Sequence, residues 1–111
     1  MSNGIFEVSF SSNRPDHGGG LVVIKDGSVN GGDPNYLYQG RVPLTSGQFS
    51  EQFRISMWRP GNTNVAGLDN YLLDATGEIN YEQGSISLTG SVVGAPNVRI
   101  TLSGRKIAPT M

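Results

Sequence analysis

The stretch SISLTGSVVGAPNVRITLS, residues 85–103, alternates apolar with small polar or charged residues on both sides of a turn-like break. Successive side chains of a β-strand point to opposite faces of the sheet, so this period of two predicts two strands, each with one buried face. The apolar positions are Ile86, Leu88 and Val92 before the break and Val98, Ile100 and Leu102 after it. Because Gly94-Ala95-Pro96-Asn97 favours a turn, we expect the two strands to form an antiparallel hairpin.

The same period of two recurs along the rest of the chain. Further groups of one parity are Phe6, Val8 and Phe10; Tyr36, Tyr38, Gly40 and Val42; Phe49, Phe53, Ile55 and Met57; and Tyr71, Leu73 and Ala75. Asp26-Gly27 predicts a tight hairpin turn, since a type I′ turn needs positive φ angles that glycine adopts easily. Residues 13–20 and 31–34 are predicted to be loops, and a helical turn near residues 64–70 is disfavoured by Gly67 and by its shortness.

About eight strands at hairpin-like spacing, without a convincing helix, predict an all-β protein. We expect an eight-stranded antiparallel up-and-down β-barrel, formed as a single domain by residues 1–111. A two-sheet sandwich is the alternative, because alternation alone does not distinguish a closed barrel from stacked sheets. The interior of an eight-stranded barrel is just wide enough to be filled by side chains or to hold one small ligand.

Composition and charge exclude several classes of protein. Only 15% of the 111 residues are charged and the formal net charge is −1, so no basic field attracts nucleic acid or anionic lipid. The absence of cysteine excludes disulfides and thiolate metal sites and fits a reducing compartment. The first residues lack the features of a secretion signal, and the longest aliphatic run, Leu21–Ile24, is far shorter than the ~20 residues of a membrane helix. A cytoplasmic protein is the simplest interpretation.

Candidates for catalysis or cofactor binding are weak. The only histidine, His17, follows Asp16 in a predicted loop, and neither a cysteine nor a G-x-S-x-G motif supplies a nucleophile. Glu78 and Glu82 are a possible pair of carboxylates, but their spacing around a turn does not establish a shared cleft. The glycine runs at residues 18–20 and 31–32 do not match the phosphate-binding motifs. We predict no enzymatic activity, no cofactor and no metal site; a small hydrolase that uses these residues is the last alternative.

A candidate pocket lies on the inward-facing parities of the predicted strands. Its members are Tyr36, Tyr38, Phe53, Met57 and Tyr71. Small residues at other inward positions leave room for a cavity, namely Gly40, Ala75, Gly90 and Gly104. The larger side chains either fill the barrel or line a site for a small apolar ligand.

A candidate dimer or partner surface is predicted from residues that are apolar where a barrel should meet water. Leu21, Val22, Val23 and Ile24 are apolar on both parities, although one face of an antiparallel barrel strand is normally solvated. Trp58 has the parity opposite to that of Met57 and is expected to point outward, either as an interface anchor or covered by residues 62–68. We expect these residues to contact a second copy of the chain, giving a homodimer, or another protein.

Several short motifs, in this order and spacing, resemble those of a known family. They are Gly4-Ile5-Phe6, Phe10-Ser11-Ser12-Asn13, Gly18-Gly19-Gly20, Lys25-Asp26-Gly27, Gly31-Gly32-Asp33, Tyr36, Tyr38, Gly40 and Leu88-Thr89-Gly90. The chain resembles the GrlR-type small regulators, named for a negative regulator of type III secretion. The resemblance implies a lipocalin-like eight-stranded barrel that forms a homodimer. It also implies regulation by binding a transcription activator, without catalysis and without direct contact to DNA.

The chain departs from the name-giving member in one stretch. That member carries a surface cluster Glu-Asp-Glu-Asp, tied to its regulatory role, after the strand that contains Tyr-x-Gly. The corresponding residues 43–51 here contain one carboxylate, Glu51. Attraction to a basic helix-turn-helix partner is therefore expected to be weaker. A small apolar-ligand carrier is the alternative function.

Overall fold

The computed structural model describes residues 3–12, 17–34, 36–58 and 70–110, with the main chain alone for His17. No helix occurs within these residues. The strands are β1 (Gly4–Ser12), β2 (His17–Lys25), β3 (Ser28–Gly32), β4 (Tyr36–Arg41), β5 (Gly47–Met57), β6 (Asn70–Asn80), β7 (Ser85–Val92) and β8 (Ala95–Ala108). The helical turn near residues 64–70, which the sequence disfavours, would fall almost entirely outside the described residues.

The eight strands form a closed antiparallel barrel in which each strand pairs with the next in sequence. The first and last strands complete the cylinder, with Val8 opposite Gly104 and Phe10 opposite Leu102. The all-β up-and-down barrel expected from the sequence is confirmed. The sandwich alternative is wrong, because pairing of β1 with β8 removes the free edges that two stacked sheets would have.

The turn between β2 and β3 has the conformation that its sequence predicts. Asp26 and Gly27 have φ angles of 52° and 82°, as a type I′ turn requires. The turn main chain is held in place by two bonds: the Asp26 N–H donates to Oδ1 of Asn3 at 2.9 Å, and the Val42 N–H donates to the Gly27 carbonyl at 2.9 Å. This hairpin fixes the register that places Val29 opposite Ile24.

Three boundaries differ from those expected. Residues 31–34 were predicted to be a loop, but Gly31 and Gly32 are the last residues of β3. Gly18, Gly19 and Gly20 were predicted to lie in a loop but belong to β2, where they pair with Phe10, Ser9 and Val8. Glycine has no side chain that could reveal a period of two, so the sequence pattern is silent there. The turn predicted over residues 94–97 is shorter, since β8 already begins at Ala95.

The inward-facing side chains of all eight strands form one apolar core. Its buried members include Phe6, Ile24, Ile79 and Val92, and no polar or charged residue of the described chain is fully buried. Gly40 illustrates how tightly the interior is filled. A Cβ atom on Gly40 would lie 2.2 Å from Cδ2 of Phe53, so the Phe53 ring occupies the space that a side chain on β4 would need.

The up-and-down topology gives the barrel two ends with different connections. The Asp33 end is formed by the β3–β4 connection, the end of β5 and the start of β6. At the opposite Tyr81 end, the Tyr81 hydroxyl donates to the Pro43 carbonyl at 2.5 Å, and its N–H donates to Oγ of Ser46 at 2.8 Å. These bonds attach the β4–β5 connection to the β6–β7 turn.

Candidate functional site

Asp33 joins three parts of the molecule at the Asp33 end of the barrel. Its carboxylate accepts a hydrogen bond from the N–H of Tyr36 at 2.8 Å and another from the hydroxyl of Tyr38. Its own N–H donates to the Tyr36 carbonyl at 3.0 Å, and its carbonyl accepts a bond from the Trp58 indole N–H at 3.1 Å. A single half-buried residue thus closes the β3–β4 turn and connects an interior tyrosine with an exposed tryptophan.

Tyr38 is buried in the barrel and its hydroxyl serves as a donor. Burial raises the pKa of Tyr38 far above its usual value, and the hydrogen bond to Asp33 and the nearby negative charge raise it further. The Tyr38 ring packs edge-on against Phe10, with centroids 5.5 Å apart and planes at 87°. This geometry is favourable for two aromatic rings and holds Tyr38 in one orientation beneath Asp33.

The candidate pocket residues are brought together on β4, β5 and β6, but only three of them line the interior cavity. Tyr38, Phe53 and Tyr71 lie in its wall, while Tyr36 is buried beside it and Met57, opposite Tyr36, packs against the edge of the core. The cavity measures about 60 Å³ and has almost entirely apolar walls. Pockets for drug-sized ligands typically measure ~300–1,000 Å³, so side chains fill most of this barrel.

Tyr71 contributes a second phenol to the cavity wall. Burial raises the pKa of Tyr71 above its usual value, and the nearby Tyr36 and Asp33 contribute in the same direction. Tyr71 lies on β6 opposite Ile55, one strand beyond the pairing of Tyr38 with Ile55. The two cavity tyrosines are therefore aligned across β5 at the same level of the barrel.

The apolar run on β2 is divided between the inside and the outside of the barrel. Val22 and Ile24 are buried in the core, so they must be removed from the candidate dimer or partner surface. Leu21 and Val23 point outward and are 50% and 39% exposed. The correction follows from the alternation of side chains along a strand, which allows only one of the two parities to reach solvent.

Leu37 extends this outer surface, although the sequence pattern did not single it out. Leu21 on β2 is opposite Gly32 on β3, and Gly32 is opposite Leu37 on β4, so the three residues form one row. Because Gly32 has no side chain, nothing projects between Leu21 and Leu37 in this row, and a Cβ atom on Gly32 would lie 2.2 Å from the carbonyl oxygen of Tyr36. The sequence does contain a signal for Leu37: it is apolar and lies between Tyr36 and Tyr38, at a position predicted to face outward.

Trp58 adjoins this row at the Asp33 end. Its ring is 51% exposed, as expected from its parity, and its indole N–H is bonded to Asp33, the residue that follows Gly32. We define the apolar outer patch as Leu21, Val23, Leu37 and Trp58. Residues 62–68, which were expected as a possible cover for Trp58, lie outside the described part of the chain.

The outer wall of β5 to β8 has a different chemistry. One row across these strands consists of Ser50, Thr76, Thr89 and Thr101, and the next consists of Gln48, Glu78, Ser87 and Ser103. These side chains line a broad groove. This hydroxyl-rich wall contrasts with the apolar outer patch. Its residues are therefore suitable control positions in experiments on the apolar outer patch.

The carboxylates considered for catalysis are not arranged as an acid–base pair. Glu78 is exposed on the outer wall, in the row between Gln48 and Ser87. Glu82 lies in the β6–β7 turn and accepts a bond from the Ser46 hydroxyl at 2.7 Å, which lowers the pKa of Glu82. A carboxyl with a lowered pKa is a poor general acid near neutral pH.

The remaining candidates for chemistry are Asp16, His17 and a metal site. The side chain of His17 and all of Asp16 lie outside the described residues. Within the described ranges, no three metal-ligating side chains come together. Nor does this part of the chain contain a helix long and apolar enough to cross a membrane.

The fold and the site define a class of protein: a small closed antiparallel β-barrel with a narrow apolar interior and an apolar patch on its outer wall. A family model described as "T3SS negative regulator, GrlR" matches residues 1–109, nearly the whole sequence, and the chain therefore belongs to the GrlR family. The match confirms the resemblance found in the sequence motifs and assigns the chain to a family of negative regulators of type III secretion. No curated protein matches the chain.

Proposed function

We propose that this chain is a non-enzymatic cytoplasmic regulator that acts by binding proteins, in keeping with its membership of the GrlR family. In this proposal the chain forms a homodimer and restrains a transcription activator of type III secretion genes. The observation that carries the binding mechanism is the apolar outer patch. Neither Glu78 nor Glu82 is placed as an acid–base pair would need, which also favours binding over catalysis.

Trp58 is suited to anchor an interface. Tryptophan is enriched among residues whose truncation costs most binding energy. The bond from its indole N–H to the Asp33 carbonyl holds the ring in place before any partner arrives. A side chain that is already ordered loses less conformational entropy on binding, so more of the contact energy contributes to affinity.

A second copy of the chain is the proposed occupant of the apolar outer patch. A two-fold dimer places the same patch on both subunits, so an apolar patch is complementary to itself and needs no opposite charge. Standard interfaces bury roughly 800 Å² per partner, more than Leu21, Val23, Leu37 and Trp58 supply alone. The interface therefore extends over polar neighbours on the same wall, such as Asn30 and Gln39, which form the next row.

The proposed protein partner is a transcription activator, bound without direct contact between this chain and DNA. A formal net charge of −1 offers no field that draws the barrel to nucleic acid. Residues 43–51 carry only Glu51 as a carboxylate, so long-range attraction to a basic activator is weak. We expect the affinity to rest on contact area more than on charge, and to depend little on ionic strength.

The experiment is co-purification from the native host with the full chain as bait, followed by mass spectrometry. Support requires a transcription activator among the recovered proteins, whose DNA binding, measured with purified components, falls when the barrel is added in stoichiometric amount. Recovery of no such protein across several growth conditions would contradict the proposal. So would an activator whose DNA binding is unchanged by the barrel.

The apolar cavity favours a second candidate function, a carrier of a small apolar molecule. Its volume of about 60 Å³ restricts the cargo to a few carbon atoms unless the wall opens. Extraction of the purified protein with organic solvent, followed by mass spectrometry, tests this function. A protein that yields no bound molecule from its native host argues against a carrier.

A further inference from the structure

Tyr38 belongs both to the cavity wall and to the Asp33 hydrogen-bond network. Its ring lines the cavity together with Phe10 and Tyr71. Its hydroxyl, at the far end of the same ring, donates to the Asp33 carboxylate. A molecule that fills the cavity therefore contacts a ring whose other end is attached to Asp33.

Asp33 carries this connection to the protein surface. Its carbonyl accepts the indole N–H of Trp58, and Trp58 is half exposed on the outer wall. Two hydrogen bonds and one residue thus separate the barrel interior from the apolar outer patch. We define this sequence of contacts as the Tyr38–Asp33–Trp58 connection.

We propose that the cavity is a binding site for a small apolar molecule and that its occupancy is transmitted to Trp58 through the Tyr38–Asp33–Trp58 connection. The chemical class follows from the walls, which are aliphatic and aromatic, and from the volume of about 60 Å³. A single large apolar atom or a hydrocarbon group of a few carbons fits this description. A charged ligand does not, because these walls supply no counter-charge for it.

Transmission follows from the close packing of the interior. A ligand that fills a cavity of about 60 Å³ presses on the rings that line it, since close packing leaves those rings little space to move aside. Breaking the bond from Tyr38 would leave a buried hydroxyl without its acceptor, which is costly. Asp33 therefore moves with Tyr38, and the Asp33 carbonyl moves the indole of Trp58.

The inference has a regulatory consequence if Trp58 anchors the proposed dimer, and that consequence rests on the proposed function. The coupling itself requires no partner and is measurable on the isolated protein. If the chain proves not to be a dimer, the coupling between the cavity and Trp58 is unaffected. If the coupling is not found, the dimer proposal is unaffected.

Xenon is the probe, because it is an apolar single atom that enters dry protein cavities. The protein is labelled for NMR and titrated with xenon pressure. The methyl resonances of Leu88 and Ile100 report on the cavity that both residues line. The indole N–H resonance reports on Trp58 without ambiguity, since the chain has one tryptophan. We expect both sets of resonances to shift with the same midpoint pressure.

Tyr38→Phe is the decisive variant, because it keeps the ring in the wall and removes only the hydroxyl. We expect the methyl shifts to remain and the indole shift to be lost. Tyr71→Phe is the matched control, since it removes a hydroxyl from the same wall and leaves the Tyr38–Asp33 bond in place; the indole shift should persist. Asp33→Ala is the second variant if Tyr38→Phe does not fold, because it removes the acceptor of the Tyr38 hydroxyl; the indole shift should again be lost.

Three results would overturn the inference. Methyl resonances that do not respond to xenon would show that the cavity is no binding site. Methyl shifts without an indole shift in the unmodified protein would show a site without transmission, whether or not any variant folds. An indole shift that persists in Tyr38→Phe would place the transmission elsewhere.

Discussion

Tyr81 donates its hydroxyl hydrogen to the carbonyl of Pro43, a residue 38 positions earlier, over a distance of 2.5 Å. The tyrosine side chain is buried at this end of the barrel, and the bond fixes the long β4–β5 connection to the β6–β7 turn. Burial also raises the pKa of Tyr81, which keeps the hydroxyl protonated as a donor. The Tyr81 phenol and Ser46 are the two groups that join the β4–β5 connection to the Tyr81 hydroxyl and main chain at this end.

We expect Tyr81→Phe to lower the free energy of unfolding by roughly 0.5–1.5 kcal/mol, the usual net contribution of a hydrogen bond, because the Pro43 carbonyl loses its donor. Urea unfolding followed by circular dichroism measures the change. Thr89→Val on the hydroxyl-rich outer wall is a control that removes a hydroxyl without touching this end. Equal stability of Tyr81→Phe and the unmodified chain would contradict the prediction.

Gly40→Ala should destabilise the barrel by roughly 1–3 kcal/mol, the typical cost of overpacking a core. The reason is the Phe53 ring, whose Cδ2 atom would lie 2.2 Å from the new Cβ. Unfolding in urea measures the loss. The double variant Gly40→Ala with Phe53→Leu should lose less stability than the sum of the two single variants, since leucine is smaller than phenylalanine. If the losses in free energy of unfolding are additive, the two sites do not interact.

Stability should fall at alkaline pH because the folded state holds Tyr38 and Tyr71 in their protonated form. Both pKa values are raised above the ordinary value of 10.0, so the folded chain binds more protons than the unfolded chain above that pH. The contribution of the two protonated tyrosines to the free energy of unfolding is complete below about pH 10. Above that pH it decreases by at most about 1.4 kcal/mol per pH unit for each tyrosine.

Urea unfolding between pH 8 and pH 11 measures this slope. Tyr38→Phe should make it shallower, and the double variant with Tyr71→Phe shallower still. A slope that is the same in all three proteins would exclude these two phenols as its cause.

Ile24 and Val23 should behave very differently although they are neighbours of similar chemistry. Ile24 is fully buried, so Ile24→Ala should cost roughly 2–5 kcal/mol. Val23 points outward, so Val23→Ala should change the stability of the subunit by less than about 0.5 kcal/mol. Both values come from urea unfolding at a protein concentration where the chain is monomeric; similar costs for the two variants would contradict the placement of β2.

The double variant Leu21→Asp with Leu37→Asp should convert the proposed dimer into a monomer, because it replaces two exposed apolar side chains of the apolar outer patch with charged ones. Light scattering coupled to size-exclusion chromatography measures the mass. Ser103→Asp adds a charge to the polar outer wall and should leave the dimer intact. The proposed interface is excluded if the double variant remains a dimer, or if the unmodified chain is a monomer at high micromolar concentration.

The barrel could be predicted because its determinants are local. Alternation in Ile86, Leu88 and Val92 requires only that one face of a strand is buried, and Asp26-Gly27 specifies its turn by backbone preference alone. The same reasoning failed at Gly18–Gly20, because glycines have no side chains and the alternation of a strand is not visible there. It also placed Val22 and Ile24 on the outer surface, although only their neighbours Leu21 and Val23 point outward.

The candidate site was only partly visible because its contacts are not local. The bonds from Tyr38 and Trp58 to Asp33 bring together residues 5 and 25 positions apart. In the sequence, Asp33 is only a turn residue between Gly32 and Pro34. The volume left inside the barrel likewise depends on how rings from different strands interlock, and composition does not determine that.

The pairing of β1 with β8 also has a consequence for biosynthesis. A chain leaving the ribosome presents β1 before the other strands, but the fourteen-residue strand β8 that must lie beside it emerges only after the seven others. Until then β1 and β7 each have an open edge, and exposed edges promote pairing with other chains. Both edges therefore stay unpaired until β8 has emerged, and interruption of translation within β8 would leave a sheet prone to aggregate.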